Sequence, residues 1–487
     1  MFFNSFDFAI FLPIVFILYW FVANKNLKLQ NILLLGSSYF FYACWDYRFL
    51  FLLIFSTLLD YYTGLKMADA ESKHKKRFWF WLSVCVNLGF LGVFKYYNFF
   101  AESLTESLSH IGIKTNFWTI KVILPVGISF YTFHGLSYVI DIYKDRIKPS
   151  KDFIQYAVFV SFFPLLVAGP IERATHLLPQ VEKKRTFDFS NATDGLRQIL
   201  WGLFKKIVIA DNCAEFANTI FNNSAQYSGA TLVLGVLFFT FQIYCDFSGY
   251  SDIALGSARL FGIDLLRNFA FPYFSRDIAE FWRRWHISLS SWFKDYLYIP
   301  LGGSKGGKWM RIRNTFIIFL VSGFWHGANW TFIVWGGLHA IYFLPLLLLD
   351  RNRNNMHIIA SGKLFPSLKE FFSMVLTFCM ASFAWIFFRA NNLTHALVYI
   401  RSMFAGLLHK TSYVQAVDFS IKQVGLIFPL LVLLFIMIEW IGREHQYAIS
   451  RFGFKWPRPL RWSFYYLLII AMIMFTGKEQ QFIYFQF

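Results

Sequence analysis

The fold class of this chain is decided by the stretch NTFIIFLVSGFWHGANWTFIVWGGLHAIYFLPLLLL, residues 314–349. It contains no Asp, Glu, Lys or Arg, yet it holds His326 and His339. A membrane-spanning helix needs about 20 apolar residues, so the stretch is long enough for one bent helix or two short ones. The glycines beside His326 favour a helix break where backbone or substrate can approach closely. We therefore predict membrane-embedded helices with a histidine at a break.

The composition of the whole chain is also that of a membrane protein. Of its 487 residues, 57% are hydrophobic and 15% are charged, whereas soluble domains are about 25% charged. This excludes a disordered chain, a collagen-like chain and a disulfide scaffold. The five cysteines form no CxxC pair, and no spacing of His, Cys or acidic residues is typical of a metal site. We predict neither a metal nor a bound cofactor.

Apolar runs alternate with charged segments along the chain, as in a helical protein with many membrane spans. The first run, 8–23, follows an aspartate and no basic segment, so we expect a retained membrane helix and not a signal peptide. The other runs cover 31–45, 48–65, 78–100, 119–141, 153–169, 229–262, 314–349, 371–388, 425–441 and 461–476. They predict an all-α polytopic membrane protein of about 10–12 spans, forming a single domain over residues 1–487.

The charges between the runs predict the orientation. The net charge is +18, and no nucleic-acid-binding module is present, so the basic residues indicate cytoplasmic loops and lipid headgroups. Segments 66–77 and 144–152 are basic, whereas 101–118 holds two Glu and one Lys. The excess of Lys and Arg places the first two segments in the cytoplasm. Counting back three spans places the N-terminus outside.

Segment 277–296 has the pattern of an amphipathic helix. Its bulky apolar residues fall on one helical face: Ile278, Phe281, Trp282, Trp285, Leu289, Trp292, Phe293 and Tyr296. We predict one continuous helix in the membrane interface, with its tryptophans among the headgroups. His286 borders the apolar face, where a side chain can point into a protein cavity or form an ordinary interfacial hydrogen bond.

Two acidic residues, Asp246 and Asp252, lie inside the apolar run 229–262. We expect them to accept hydrogen bonds from hydroxyls and backbone at a broken helix. A cation pathway is the alternative, although no second layer of carboxylates supports it.

General-base chemistry is the reaction type that the buried histidines favour. A histidine at membrane depth is a functional hypothesis by default, against a purely packing role. No serine lies in a G-x-S-x-G elbow, and no carboxylate pair indicates glycoside hydrolysis. A neutral imidazole can take the proton of a hydroxyl that attacks an activated acyl carbon, which contributes about 10²–10⁴-fold. On the residues alone, His326 can have this role or can pack against another helix through a hydrogen bond, and for His339 we expect a structural role first.

Several motifs together resemble the membrane-bound O-acyltransferase (MBOAT) family, in its branch of alginate O-acetylation proteins and teichoic-acid D-alanyl transferases. The motifs are FWRRWHISLS (281–290), FWHGANW (324–330), LPVGISFYTF (124–133), AGPIER (168–173), YCDFSGYSD (244–252) and FIYFQF (482–487). The resemblance covers nearly the whole chain. It implies a ring of membrane helices around a thinned centre with a catalytic tunnel, together with interfacial and broken helices.

The resemblance also implies residue roles. It makes His326 the catalytic residue and places His286 in the same tunnel. Weaker candidates for the tunnel wall are Trp325, Asn329, Trp285 and His339.

The function that follows is acyl transfer across a bacterial plasma membrane. The donor is an acyl thioester on the cytoplasmic side, acetyl-CoA or an acyl carrier protein. The acceptor is a hydroxyl of an extracytoplasmic polysaccharide or partner protein, and the acyl group is acetyl, with D-alanyl as the alternative. Two rival functions are a glycan or lipid transporter and a membrane scaffold that recruits a periplasmic transferase.

Overall fold

A computed structural model describes residues 1–113, 115, 119, 124–167, 169–478 and 480–483. Every regular element in these residues is a helix, which confirms the predicted all-α class. Residues 120–123 of the predicted run 119–141, Ala168 of the AGPIER motif and residues 484–487 of the last motif lie outside the described residues.

The first of two compact units comprises Met1–Gly195 and Ser257–Leu266. Its helices are α1 (Phe6–Ile17), α2 (Leu27–Ala68), α3 (Lys73–Leu91), α4 (Tyr97–His110), α5 (Ile128–Tyr143), α6 (Phe153–Ser161), α7 (Phe163–Leu166) and α8 (Ala174–Val181). Helix α2 is interrupted at Asp46, whose backbone is extended (φ −158°, ψ 110°). This break separates the two apolar runs predicted for the segment.

Polar contacts join the helices of this unit, one group buried and one at the surface. Asp60 on α2 accepts hydrogen bonds from Ser83 Oγ at 2.5 Å and Asn87 Nδ2 at 2.7 Å, both on α3. Lys76 Nζ forms an ion pair of 2.6 Å with Asp145 Oδ1. This ion pair brings the basic segments 66–77 and 144–152 together.

The second compact unit comprises Leu196–Gly256 and Arg267–Phe487. The remaining helices are α9 (Phe189–Phe204), α10 (Asp211–Asn222), α11 (Gly229–Leu260), α12 (Ile278–Arg284), α13 (Ile287–Phe293), α14 (Gly307–His326), α15 (Trp330–Leu348), α16 (Leu368–Arg389), α17 (Leu393–Leu407), α18 (Lys410–Phe419), α19 (Ile427–Gly442) and α20 (Arg458–Met474). Helices α9 and α11 begin or end within the residues of the first unit. A π-helical segment, Lys205–Ala210, joins α9 to α10.

The described helices include six that are long and apolar enough to cross a membrane. They cover Phe6–Lys25, Leu27–Ala68, Lys73–His110, Gly229–Leu260, Trp330–Leu348 and Leu368–Arg389. A seventh is obtained if Lys410–Val424 and Ile427–Gly442, which meet at 90°, form one broken span. The chain is therefore a multi-pass membrane protein. The predicted 10–12 spans, their ring around a tunnel and the single domain over 1–487 stay predictions.

The predicted continuous helix over 277–296 is wrong. The chain forms two short helices, α12 and α13, and His286 between them adopts left-handed backbone angles (φ 41°, ψ 55°). The break arises because the N–H of Ile287 donates to the carbonyl of Asn268 (2.9 Å), outside either helix. Trp285 is consequently fully buried within the protein, and the prediction that it lies among headgroups is also wrong.

Candidate active site

His326 lies at the turn between α14 and α15, where the sequence predicts a helix break. It is the last residue of α14, and Gly327 continues in an extended conformation. Asn329 Oδ1 accepts a hydrogen bond of 3.0 Å from Thr331 N at the start of α15, and its Nδ2 donates to the carbonyl of Asn391 (2.9 Å). Asn329 therefore fixes the turn that presents His326, while its place along a tunnel stays a prediction.

Aromatic rings surround the imidazole of His326, which is 3% exposed. Trp335 meets it edge-on at a centroid distance of 5.0 Å, Phe388 at 5.3 Å and the neighbouring Trp325 at 5.0 Å. Such rings exclude water from the sides of the imidazole. The surroundings suit a reaction that must proceed without hydrolysis.

His286 is completely buried. Its Nδ1 lies 3.3 Å from Asn268 Oδ1, and its ring packs edge-on against Phe247 at 4.7 Å. Burial lowers the pKa of His286 to about 3, because a charged imidazolium would lose its hydration. His286 is therefore neutral at physiological pH and can accept a proton or a hydrogen bond.

The structure brings the rings of His286 and His326 beside the same indole, that of Trp325. The centroid of Trp325 lies 6.1 Å from that of His286 and 5.0 Å from that of His326. The sequence predicts all three residues as parts of one site, and the geometry groups them as expected. Their chemical roles stay predictions.

Trp285 lies in the aromatic layer beside this group. It stacks on Phe281 at 5.5 Å and an interplanar angle of 16°, and it contacts Trp385 at 5.0 Å. Trp385 in turn stacks on Trp335 at 5.6 Å. Trp285 therefore supports the wall behind the histidines.

His339 occupies a more structural position. Its Nδ1 accepts a hydrogen bond of 3.2 Å from Trp282 Nε1. An indole nitrogen can only donate, so the proton of His339 must be on Nε2. The ring of Trp335 contacts both histidines, at a centroid distance of 4.9 Å from His339 and 5.0 Å from His326. The structural role expected for His339 stays a prediction.

The two acidic residues of α11 form ion pairs that the sequence analysis missed. Asp252 Oδ2 lies 2.6 Å from Lys205 Nζ, and Asp246 Oδ1 lies 2.9 Å from Lys206 Nζ. The expected break is wrong, because α11 is continuous across both acids. Expecting only hydroxyls and backbone as their partners was incomplete. The signal was present, since two lysines interrupt an apolar stretch at 199–210, but their partners are distant in sequence.

A small polar cavity, with a volume of about 20 Å³, adjoins the Lys205–Asp252 pair. Its wall includes Ser248, Ser251, Asp252, Lys205, Arg267, Asn268, Tyr244, Glu439, Gln446 and Tyr447. Glu439 accepts hydrogen bonds there from Tyr244 Oη (2.5 Å) and Trp201 Nε1 (3.2 Å). Asn268 lines this cavity and also contacts His286. The cavity therefore extends to the side chain that contacts Nδ1 of this histidine.

The fold and site together define a helical membrane protein with two buried histidines in an aromatic setting. Among the described residues, no three His, Cys, Asp or Glu side chains lie close enough to hold a metal ion. The arrangement is suited to proton transfer by imidazole.

Comparisons with known proteins identify the family. The family model of the membrane-bound O-acyltransferases, MBOAT, matches residues 143–387. The probable alginate O-acetylase AlgI of Pseudomonas aeruginosa is 38% identical over 440 residues, covering 90% of this chain and 80% of that protein. The peptidoglycan O-acetyltransferase of Helicobacter pylori is 38% identical over 421 residues, covering 81% of this chain and 77% of its own.

A more distant relative is the teichoic acid D-alanyltransferase of Bacillus subtilis. It is 26% identical over 283 residues, covering 55% of this chain and 70% of that protein. The chain belongs to the membrane-bound O-acyltransferase family, and it is an acyltransferase. The resemblance stated from the motifs is thereby confirmed.

Proposed function

We propose that this protein transfers an acetyl group from a cytoplasmic thioester to a hydroxyl on the outer side of the membrane, with His326 as the general base. The observation that carries the proposal is the placement of His326. It is a buried imidazole at a helix end, enclosed by aromatic rings and one indole away from a second, neutral histidine.

The proposed step needs only the two substrates and an imidazole. The acceptor O–H gives its proton to His326 as the oxygen attacks the acyl carbon. The ester C–O bond forms, the C–S bond breaks, and the imidazolium returns the proton to the departing sulfur, which leaves as a thiol. His286 contributes by positioning the donor carbonyl or by sharing the proton.

The relatives' names support acetyl and an acceptor in the cell envelope. Two of the relatives at 38% identity are named as acetylating alginate and peptidoglycan, whereas the D-alanyltransferase is 26% identical. We propose an exopolysaccharide, reached directly or through an extracytoplasmic partner protein, as the acceptor. Acetyl-CoA or an acyl carrier protein is the proposed donor.

We place the protein in the bacterial inner membrane with its N-terminus outside. The contact between Lys76 and Asp145 supports this orientation, because it brings two basic segments together, and basic loops favour the cytoplasm. The ion pairs of Asp246 and Asp252 with lysines argue against a cation pathway through these acids.

The test is acyl transfer by the purified protein in lipid nanodiscs, with [14C]acetyl-CoA and an oligosaccharide acceptor. We expect His326→Ala and His326→Gln to lower kcat by at least about 10²-fold. His134→Gln is a matched control, because His134 is a buried histidine of the first unit whose Nδ1 lies 3.4 Å from the carbonyl of Val160. We expect the transfer rate of this variant, per amount of folded protein, to equal that of the wild type.

A cellular experiment identifies the acyl group and the acceptor. Ester-linked acyl groups on surface glycans would be measured by mass spectrometry in wild type, a deletion strain and the deletion complemented with His326→Ala. An ester lost on deletion and not restored by the variant supports the proposal, and its mass distinguishes acetyl from D-alanyl. Full restoration by the variant would contradict a catalytic His326 and favour a scaffold or an exporter.

A further inference from the structure

Asn268 is completely buried between the polar cavity and His286. Its side-chain amide makes three polar contacts. One end lies 3.1 Å from Ser251 Oγ, and the other lies 2.6 Å from Ser288 Oγ and 3.3 Å from His286 Nδ1. The backbone carbonyl of Asn268 also accepts the N–H of Ile287 (2.9 Å). Asn268 thus holds both the backbone and the ring at this position.

The two serine distances fix which end of the amide faces His286. Hydrogen bonds between two oxygens are usually about 2.7–2.8 Å long, whereas those from nitrogen to oxygen are about 2.9–3.0 Å. The 2.6 Å contact with Ser288 therefore joins its hydroxyl to the amide oxygen, and the 3.1 Å contact with Ser251 involves the amide nitrogen. The amide oxygen, which can only accept, is the atom that faces His286 Nδ1.

We propose that Asn268 is a positioning residue that holds His286 in the tautomer protonated on Nδ1. The Nδ1–H donates to Asn268 Oδ1, and the lone pair is then on Nε2, at the far edge of the ring. The left-handed backbone of His286 (φ 41°) supports this reading, since strained angles persist only where surrounding contacts impose them.

The catalytic consequence rests on the proposed function. Neutral His286 can act on a substrate or on the proton of His326 only through the nitrogen that Asn268 leaves without a proton. The opposite tautomer would present an N–H at the same place. His339 provides an internal contrast, because its Nδ1 accepts from Trp282 and its proton is on Nε2.

The tautomer can be measured without any turnover. Protein labelled with 15N-histidine would be placed in nanodiscs, and nitrogens with and without a proton would be distinguished by their well-separated 15N chemical shifts. His286→Gln identifies the His286 signals by subtraction from the spectrum of the 11 histidines. We expect a protonated Nδ1 and an unprotonated Nε2. A protonated Nε2 in the wild type would overturn the proposal.

Two substitutions at Asn268 separate positioning from packing. Asn268→Leu keeps the size but removes the acceptor, so we expect the Nε2–H tautomer to appear and kcat to fall by about 10-fold, with KM within twofold. Asn268→Asp keeps an acceptor oxygen and should preserve the Nδ1–H signal. A wild-type tautomer in Asn268→Leu would overturn the proposal.

The matched control is Asn314→Leu. Asn314 is also a buried asparagine of the second unit, but its amide donates to the carbonyls of Leu301 and Gly303. It should leave the His286 signals in place, and equal tautomer changes in both leucine variants would overturn the proposal. Full transfer by His326→Ala would contradict the proposed role of His326 as the base. The positioning role of Asn268 would still stand if the tautomer of His286 changed in Asn268→Leu.

Discussion

The close approach of α14 and α15 at two glycines determines where His326 lies, and it can be tested by adding one methyl group. Gly323 on α14 faces Gly336 on α15. Each glycine precedes a histidine by three residues, His326 on the first helix and His339 on the second. Gly323→Ala should therefore disturb the site through the last turn of α14.

The size of the disturbance follows from the geometry. A Cβ built on Gly323 would overlap the carbonyl oxygen of Phe332, and it would lie 3.0 Å from the carbonyl carbon of Phe332 and 3.4 Å from Cα of Gly336. Carbon atoms in contact prefer about 3.5–4.0 Å, and the overlap with the carbonyl oxygen is more severe than either carbon contact, so the helices must separate locally by about 1 Å or more. Overpacking of this kind costs about 1–3 kcal/mol, offset by about 0.5–1 kcal/mol from alanine's better helix propensity.

The effect on catalysis should be larger than the effect on folding. His326 lies one helical turn from the added methyl group, and a misplacement of about 1 Å can cost about 10²-fold in rate. We expect Gly323→Ala to lower kcat by about 10–100-fold and to lower the melting temperature in nanodiscs. Transfer from [14C]acetyl-CoA and thermal unfolding would be measured on the same preparations.

Gly337→Ala is the matched control on α15. A Cβ there would meet only Cδ2 of Leu320, at 3.8 Å, within the described part of the chain. We expect unchanged turnover and a gain of about 0.5–1 kcal/mol in stability. Equal behaviour of the Gly323 and Gly337 variants would refute the idea that close helix packing sets the position of His326.

Two further predictions concern buried charges. Lys205→Met leaves Asp252 without the cation that lies 2.6 Å away, which costs about 3–5 kcal/mol of stability. The melting temperature should therefore fall, and adding Asp252→Asn should restore most of the loss. Equal melting temperatures for the single and double variants would show that the pair is uncoupled. The hydrogen bond and charge of buried Glu172 raise the pKa of His176. The pair therefore stabilises the folded protein fully below pH about 6.5, the ordinary pKa of histidine. This stabilisation is lost as the pH rises through the raised pKa. The melting temperature should fall over that range in wild type and not in His176→Gln, and parallel pH curves would contradict the assignment.

The helices and the principal histidine could be predicted from the sequence because both depend on local patterns. Apolar runs gave the membrane class, and the charged residues near Asp46 separated the two runs that flank the break in α2. The charge-free stretch around His326 singled out a histidine at a helix end. These signals need no knowledge of which residues meet in space.

The break at His286 and the partners of Asp246 and Asp252 depend on distant contacts. The apolar face of segment 277–296 keeps its period across α12 and α13, so periodicity alone cannot show that the N–H of Ile287 bonds outside the helix. Likewise, the sequence shows charges inside apolar stretches, but not which lysine meets which acid. Only the folded chain supplies those pairings.

The separation of ionic and aromatic surroundings explains how one membrane unit can hold both charges and a neutral base. Lys205 and Asp252 neutralise each other beside the polar cavity, whereas His326 is enclosed by aromatic rings and burial keeps His286 neutral. A thioester reacts with water as well as with an alcohol, so a base exposed in the polar cavity would also promote hydrolysis. Asn268 lines the cavity and contacts His286. It therefore couples the polar surroundings to the histidine through a directed hydrogen bond while the imidazole stays neutral.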